Sequence, residues 1–171
     1  MTYSFDTFFK LFESIDQDAI DKTVRELNAH PRIFVYGAGR SGLMLKAFAM
    51  RLAQAGRTVY AVGEVVTPAI EAEDILILAS ASGETASVIR SAQTARTIGV
   101  SVFAITARTD STLASLSDTV VHIPSPTKDN ADESSIMGTL FEEALLLFCD
   151  AATEKLGVDA KQMRARHANL E

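Results

Sequence analysis

Residues 32–42 read RIFVYGAGRSG, an apolar strand pattern that runs directly into a glycine-rich hexapeptide. Apolar residues at helical spacing follow from about 41 to 55, so the stretch predicts a strand, a tight turn and a helix. A helix that begins at the carboxyl end of a strand points its free amides at whatever lies above the sheet. The turn is therefore a candidate anion site.

Two other interpretations of the hexapeptide stay open. Glycines are common wherever a strand turns sharply into a helix, so backbone packing alone also explains Gly37, Gly39 and Gly42. The spacing also fits the dinucleotide pattern, and Glu64, 22 residues after Gly42, stands where a ribose-binding acid is expected. A nicotinamide-dependent dehydrogenase is one alternative.

The alternation of strands and helices continues along the chain. Apolar runs at residues 58–62, 74–80, 101–106 and 119–123 alternate with helical patterns near 85–98 and 111–116. Strands that are apolar along their length and are followed by helices indicate a parallel sheet covered on both faces. We predict an α/β fold: a three-layer αβα sandwich with a five-stranded, mostly parallel sheet of the flavodoxin-like type.

The flanking segments complete one predicted domain over residues 1–171. Two helices are expected at its start (1–30), the αβα core spans 31–156, and a polar tail follows at 157–171. Within the core, a polar loop precedes a long helix from about 136 to 156, with Ser134 or Ser135 as its cap.

Composition narrows the classes of function. The chain has 171 residues, 47% of them apolar, and a net charge of −6, which argues against a nucleic-acid-binding surface. No apolar run is long enough for a membrane span, so no membrane partner is expected. The single cysteine, Cys149, excludes an internal disulfide and fits a reducing compartment, so we expect a cytoplasmic protein. The scattered histidines give no metal site, and no metal is expected.

A second candidate anion loop follows the third strand. It reads SASGET at residues 80–85, with three hydroxyl groups, from Ser80, Ser82 and Thr85, around Gly83. Hydroxyls and backbone amides in such a loop form a cradle for a phosphate without a lysine. The simpler alternative is that Ser82 only caps the following helix.

One carboxylate stands out in the long helix. Glu142 shares its face with Leu145, Leu146 and Cys149, so it projects from an apolar wall. A carboxylate there is costly unless it is paired or used, and a partly dehydrated carboxylate is suited to act as a general base. Glu143 is better explained by the helix dipole and solvent.

The three histidines carry little chemistry by themselves. His30 precedes a proline at a helix end, and His122 lies in an apolar strand, so both are expected to be structural. His167 lies in the polar tail, where residue chemistry alone predicts a solvent-exposed side chain.

Taken together, the motifs resemble the 6-phospho-3-hexuloisomerases, within the sugar isomerase (SIS) domain superfamily. The resemblance spans nearly the whole chain, and the closing RHANLE is its most specific part. It is carried by VYGAGRSGL (35–43), KAFAMRL (46–52), VGE and TPAI (62–64 and 67–70), SASGET (80–85), MGTLFE (137–142) and MRARHANLE (163–171).

The resemblance implies an isomerase that works without a cofactor. Its expected reaction interconverts D-arabino-3-hexulose 6-phosphate and D-fructose 6-phosphate, in the ribulose monophosphate route for formaldehyde. It also implies a homotetramer, a dimer of dimers, with sites near subunit boundaries. Glu142 would accept the proton, His167 would enter the site from the tail, and Arg51 is a weaker candidate for the cleft wall. The residues implied in sugar-phosphate binding are Gly39, Arg40, Ser41, Ser80, Ala81, Ser82, Gly83, Glu84 and Thr85.

Three positions depart from the usual family pattern. Ala81 stands where glycine is common, Ile136 where proline is common, and Glu143 where glutamine is common. A further alternative is a noncatalytic phosphosugar sensor of the same fold, which would keep the two loops and dispense with Glu142 and the tail.

Overall fold

The computed structural model describes residues 5–127 and 139–170. Two helices precede the first strand, as the sequence predicts, and each strand lies close to its predicted bounds. The elements are α1 (Phe5–Glu13), α2 (Gln17–Ala29), β1 (Arg32–Gly37), α3 (Gly39–Gln54), β2 (Thr58–Ala61), β3 (Ile75–Ala79), α4 (Ala86–Ile98), β4 (Ser101–Thr106), α5 (Thr112–Ser115), β5 (Thr119–His122), α6 (Thr139–Lys155) and α7 (Ala160–Ala165).

The five strands form one sheet in the order β2-β1-β3-β4-β5. Every neighbouring pair is parallel, so the sheet is wholly parallel where the sequence predicts a mostly parallel one. The chain leaves β1 toward one edge for β2 and returns to the other side for β3. The boundary between β1 and β3 is thus the switch point of the topology, where open α/β sheets leave a crevice for ligands.

Two hydrophobic cores, one on each face of the sheet, confirm the predicted three layers. Side chains of α1, α2, α3 and α6 pack on one face, and those of α4 and α5 pack on the other. Alternate residues of each strand feed the two cores, as Ile33 and Phe34 of β1 do. Burying one such side chain contributes about 1.5–3 kcal/mol to the free energy of unfolding, so the packing on both faces stabilises the sheet.

The predicted long helix is described only in part, whereas the tail is described almost to its end. The described part of the long helix begins at Thr139, so the proposed caps Ser134 and Ser135 and the unusual Ile136 lie outside the described residues. The tail forms the short helix α7, which begins at the cap Asp159, whose carboxylate accepts the N–H of Lys161 at 2.7 Å. Over 5–127 and 139–170, no helix combines the length and apolar character that crossing a bilayer requires.

Candidate active site

The two predicted anion loops begin side by side. Gly37 at the end of β1 is in register with Ala79 at the end of β3, so the segments that follow them leave the sheet at adjacent points of its carboxyl edge. This position is the switch point of the fold. The two loops predicted separately from the sequence therefore belong to one site.

Backbone packing accounts for two of the three glycines in the hexapeptide. A Cβ on Gly42 would lie 2.2 Å from the carbonyl oxygen of Gly37, and one on Gly37 would lie 2.9 Å from the nitrogen of Gly42. Only glycine lets the strand end and the helix start approach this closely. Gly39 has a positive φ of 57° with open space around it, so the turn conformation requires it.

The acid proposed for a dinucleotide ribose is engaged elsewhere. The carboxylate of Glu64 forms an ion pair with Lys46 on the surface of α3. Together with the packing role of the glycines, this pairing explains both features without a dinucleotide. The hexapeptide keeps its role as a turn that opens a helix.

The two helices that follow the loops, α3 and α4, both begin without a capping side chain. The cap position of α3 is Ala38 and that of α4 is Thr85, and neither side chain accepts a hydrogen bond from its helix. The first amides of an uncapped helix are free to bind an anion, and the helix dipole favours negative charge there. Arg40 and the buried Ser41 lie in the first turn of α3.

Hydrogen bonds among its own hydroxyls shape the SASGET loop. Ser80 Oγ lies 2.9 Å from Thr85 Oγ1 and accepts the N–H of Gly83 at 3.1 Å. Ser82 Oγ accepts the N–H of Glu84 at 3.2 Å. Because α4 starts at Ala86, the alternative in which Ser82 caps that helix is wrong. Ser80 and Thr85 hold the loop closed, and Ser82 stands half-buried at its turn.

The loop after β4 supports the SASGET loop from behind. A Cβ on Gly83 would lie 2.1 Å from Ser111 Oγ, so the two segments are in direct contact. Ala81 presents its carbonyl to the N–H of Ala107 at 3.1 Å. These contacts fix the loop before any ligand arrives, which lowers the cost of ordering it on binding.

The side chain of Glu84 belongs to that support. Its carboxylate accepts the N–H of Thr112 at 2.7 Å, at the start of α5. This hydrogen bond lowers the pKa of Glu84 below its usual value. Glu84 is exposed, and its side chain is committed to α5, so only its main chain remains for the binding role implied by the resemblance.

Glu142 joins the two loops to the long helix. It lies buried in the first described turn of α6 and forms an ion pair with Arg40 of α3. Hydrogen bonding to this carboxylate raises the pKa of Arg40. The apolar wall predicted around Glu142 is present, since Leu145 and Cys149 are buried. The arrangement places a charged, oriented carboxylate at the same edge as both loops.

Two residues implied by the resemblance lie elsewhere in this chain. Arg51 is 11 residues beyond Arg40 on α3, about 16 Å along the helix, and it pairs with Asp150 at 3.2 Å. Within this subunit Arg51 therefore lies away from the Arg40–Glu142 pair, and its role in the cleft wall stays a prediction. His167 follows Arg166, whose side chain is bonded to Gln54 at the far end of α3. The tail is thus fastened at the end of α3 opposite to Arg40, the partner of Glu142.

The other two histidines have hydrogen-bonded roles. His30 ends α2 and its Nδ1 donates to the carbonyl of Glu26 at 2.9 Å. His122 ends β5 and its Nε2 lies 3.2 Å from the carbonyl oxygen of Ala107. Both agree with the structural interpretation, although the side chain of His122 is exposed rather than enclosed by the strand.

Comparison with known proteins fits this geometry. The family model described as the SIS domain matches residues 26–152, which includes both loops and Glu142. The chain belongs to the SIS domain family. This confirms the family predicted from the motifs.

Relatives of this SIS domain carry a specific activity in their names. The 3-hexulose-6-phosphate isomerase of Mycobacterium gastri is 42% identical over 164 residues, covering 92% of this chain and 82% of the relative. The 3-hexulose-6-phosphate isomerase of Bacillus subtilis is 39% identical, covering 92% of this chain and 89% of the relative.

A solved structure shares the architecture. A protein from Methanococcus jannaschii, whose crystal structure was taken to infer a molecular function of 3-hexulose-6-phosphate isomerase, superimposes with a TM-score of 0.84 at 32% identity. The match covers 96% of this chain and 94% of that protein. The SIS fold is thus supported over nearly the full length of both chains.

Sequence reasoning missed the ion pair between Arg40 and Glu142. The two residues are 102 positions apart, and nothing in their local patterns links them. A usable signal was the cost of an isolated carboxylate on an apolar wall, which demands a partner. The topology could then have selected Arg40 over Arg51, because only Arg40 lies at the carboxyl edge of the sheet.

Proposed function

We propose that this SIS domain is a sugar-phosphate isomerase that interconverts D-arabino-3-hexulose 6-phosphate and D-fructose 6-phosphate. The observation that carries the proposal is the buried carboxylate of Glu142 beside two loops suited to a phosphate. The named activity of relatives at 39–42% identity supports the same reaction.

The reaction needs a base and a means of holding the chain of the sugar. Glu142 takes a proton from the carbon next to the ketone, and the electrons of that C–H bond form the enediolate. The hydroxyl proton passes between O2 and O3 of the enediolate, and the same carboxyl returns the carbon proton to the neighbouring carbon. The carbonyl thus moves between C3 and C2 without net gain or loss of atoms. A positioned carboxylate contributes roughly 10²- to 10⁴-fold to such a step.

The phosphate supplies the positioning. The proposed phosphate site combines main-chain and hydroxyl groups. It consists of the free amides at the start of α3 and α4, the main chain around Gly39 and Gly83, and the hydroxyls of Ser41 and Ser82. Ser80 and Thr85 act mainly by closing the loop. Binding energy from this nonreacting group holds the open-chain sugar in register with the base.

Arg40 has a second role in the proposal. Its side chain is 58% exposed although its Nε is bonded to Glu142, so part of the guanidinium is open to solvent beside the base. A cation there orients the base and stabilises the negative charge that develops on the enediolate oxygens. Arg40 is thus assigned to the reacting end of the sugar as well as to binding.

His167 requires a second subunit in this scheme. Its neighbour Arg166 is bonded to Gln54, which lies 14 residues beyond Arg40, about 21 Å along α3. In the proposed scheme His167 therefore acts on the site of another chain. Large apolar side chains are exposed on α1, α3 and α6, three of the helices on the same face of the sheet as Glu142, and they offer a surface for such a neighbour. They are Phe5, Phe9, Leu43, Met50 and Leu147. We extend the proposal to a tetramer built as a dimer of dimers, located in the cytoplasm.

Isotope exchange tests the reaction. The protein, without added cofactor, is incubated with D-fructose 6-phosphate in deuterated water, and label and products are followed by NMR. The expected result is deuterium at C3 of fructose 6-phosphate and at C2 of the 3-hexulose phosphate that forms. A fully protonated, unchanged fructose 6-phosphate would count against the proposal.

The variant Glu142→Gln tests the base. The amide keeps the shape of the side chain and loses its basicity, so we expect kcat to fall by at least about 100-fold while the sugar phosphate still binds. Glu143→Gln is the matched control, one residue along the same helix, and should stay close to wild type. Equal activity of the two variants would remove Glu142 from the mechanism.

A further inference from the structure

The tail helix α7 is held to the body of the protein by polar contacts. None of its six residues is buried and only Met163 among them is half-buried, so apolar packing contributes little to its position. The contact that attaches it comes from Arg166, the residue that ends the helix. Its Nη1 donates to the main-chain carbonyl of Gln54 at 3.2 Å.

The end of α3 is shaped to receive that side chain. Gly56 has a positive φ of 85°, and a Cβ on it would lie 3.1 Å from Cζ and 3.2 Å from Nη2 of Arg166. The guanidinium therefore lies flat against the glycine. The carbonyl of Gln54 is among the last of α3, where the helix dipole favours a cation.

The next residue in the chain is His167. Its N–H donates to the carbonyl of Arg164 at 3.1 Å, and its Nδ1 donates to the carbonyl of Ala168 at 2.9 Å. With Nδ1 bonded in this way, Nε2 of the exposed ring is directed outward. The anchored arginine and these local bonds together fix where the imidazole is presented.

We propose that Arg166 is a positioning residue: by fastening the tail to the end of α3, it sets the place at which His167 meets the site of a second copy of this chain. This inference rests on the role given to His167 under the proposed function. It adds a residue that touches no substrate and acts through its neighbour. The contact pattern of Arg166 and the glycine that admits it carry the inference.

The test compares Arg166→Ala, Arg166→Lys and a matched control, Arg164→Ala. Arg164 is the same residue type two positions earlier, on the exposed surface of α7. For each full-length protein we would measure kcat and KM for D-fructose 6-phosphate, the melting temperature, and the rate of tryptic cleavage after Lys161. Cleavage reports release of the tail independently of activity.

For Arg166→Ala we expect faster cleavage after Lys161 and a kcat about tenfold lower, the effect of losing one hydrogen bond from a charged group. KM should change less than about twofold, because the phosphate loops belong to another part of the fold. Lysine can still donate to Gln54 and should restore part of kcat. The control Arg164→Ala should match wild type in kcat and in cleavage after Lys161.

Two results would overturn the inference. Either the tail of Arg166→Ala stays protected from trypsin, or the tail is released and kcat does not change. Both leave the proposed isomerase reaction standing, because Glu142 and the loops are untouched. His167→Ala is measured in parallel: full activity in that variant would instead refute the role of the histidine in the proposed function.

Discussion

Mixing two inactive variants tests whether the site is shared between subunits. One chain carries Glu142→Gln and keeps His167, and the other carries His167→Ala and keeps Glu142. Within either chain the tail is attached at Gln54, about 21 Å along α3 from Arg40 and its partner Glu142. A histidine side chain spans far less than this distance, so in the proposed scheme each complete pair comes from two different chains.

The expected recovery follows from counting pairs. In an equal mixture with random assembly, half of the sites draw their glutamate from the chain that keeps it, and half draw their histidine from the chain that keeps that residue. About one quarter of the sites then contain both groups, so turnover should recover to about 25% of wild type. The same number holds for any closed oligomer in which each site uses two chains.

The assay is turnover of D-fructose 6-phosphate before and after the subunits exchange. Each variant is first measured alone, and the two are then mixed under mild dissociating conditions and returned to buffer. A wild-type sample taken through the same steps corrects for losses. If the mixture stays as inactive as its parts while native mass spectrometry shows mixed oligomers, the shared site is refuted.

Three further predictions concern the tail, the hexapeptide and pH. Ending the chain after Leu156 should abolish most turnover and shift the melting temperature by no more than about 2 °C, since α7 buries no residues; retained activity would show that the tail has no catalytic role. Gly42→Ala should destabilise the protein by at least about 1–3 kcal/mol in denaturant titration, because the added Cβ would lie 2.2 Å from a backbone oxygen; wild-type stability would contradict the packing role. Burial raises the pKa of Asp74, but its hydrogen bonds to Arg32 and to the main chain outweigh burial and lower the pKa from the usual 3.8. The stability it contributes is present above its unfolded-state pKa and is lost as pH falls through the lower folded one, so below about pH 4 the unfolding free energy of wild type should fall more steeply than that of Asp74→Asn.

The strands were the most predictable part of this chain. Each is a short, mainly apolar run, and the strands inside the sheet are buried on both faces, which favours that pattern. Ile75–Ala79 lies within the run predicted at 74–80, and all five of its residues are buried. The long helix was predicted from its period, and its described part, Thr139–Lys155, agrees.

The two candidate loops lie at the strand ends where the sequence predicts them, and their internal contacts were predicted only in part. Their position follows from strand ends, which the sequence marks clearly. The partners of individual hydroxyls depend on tertiary contacts: the cap of α4 falls at Thr85 because Ser82 turns to bond Glu84. The roles of these residues in binding a sugar phosphate stay predictions. The assignment of residues 1–171 to one domain stays a prediction too.

The tail shows where a resemblance reaches its limit. It supplied His167 as a site residue, and no pattern in one chain says which copy of the chain that residue serves. The proposal that it serves a second copy rests on the bond from Arg166 to Gln54, which joins residues 112 positions apart. The role of Arg51 in the cleft wall stays a prediction as well, because its position relative to the sheet is known only once the direction of α3 is known.

The contact between Gly37 and Gly42 affects how genomes are searched for redox enzymes. These two supply the first and last glycines of a nucleotide-binding fingerprint because a strand and a helix touch, so a chain with this junction needs only one more glycine to satisfy it. A pattern search that stops at the glycines will therefore count proteins of this architecture among the dehydrogenases. Adding the serine-rich turn after the third strand to the search would separate the two groups.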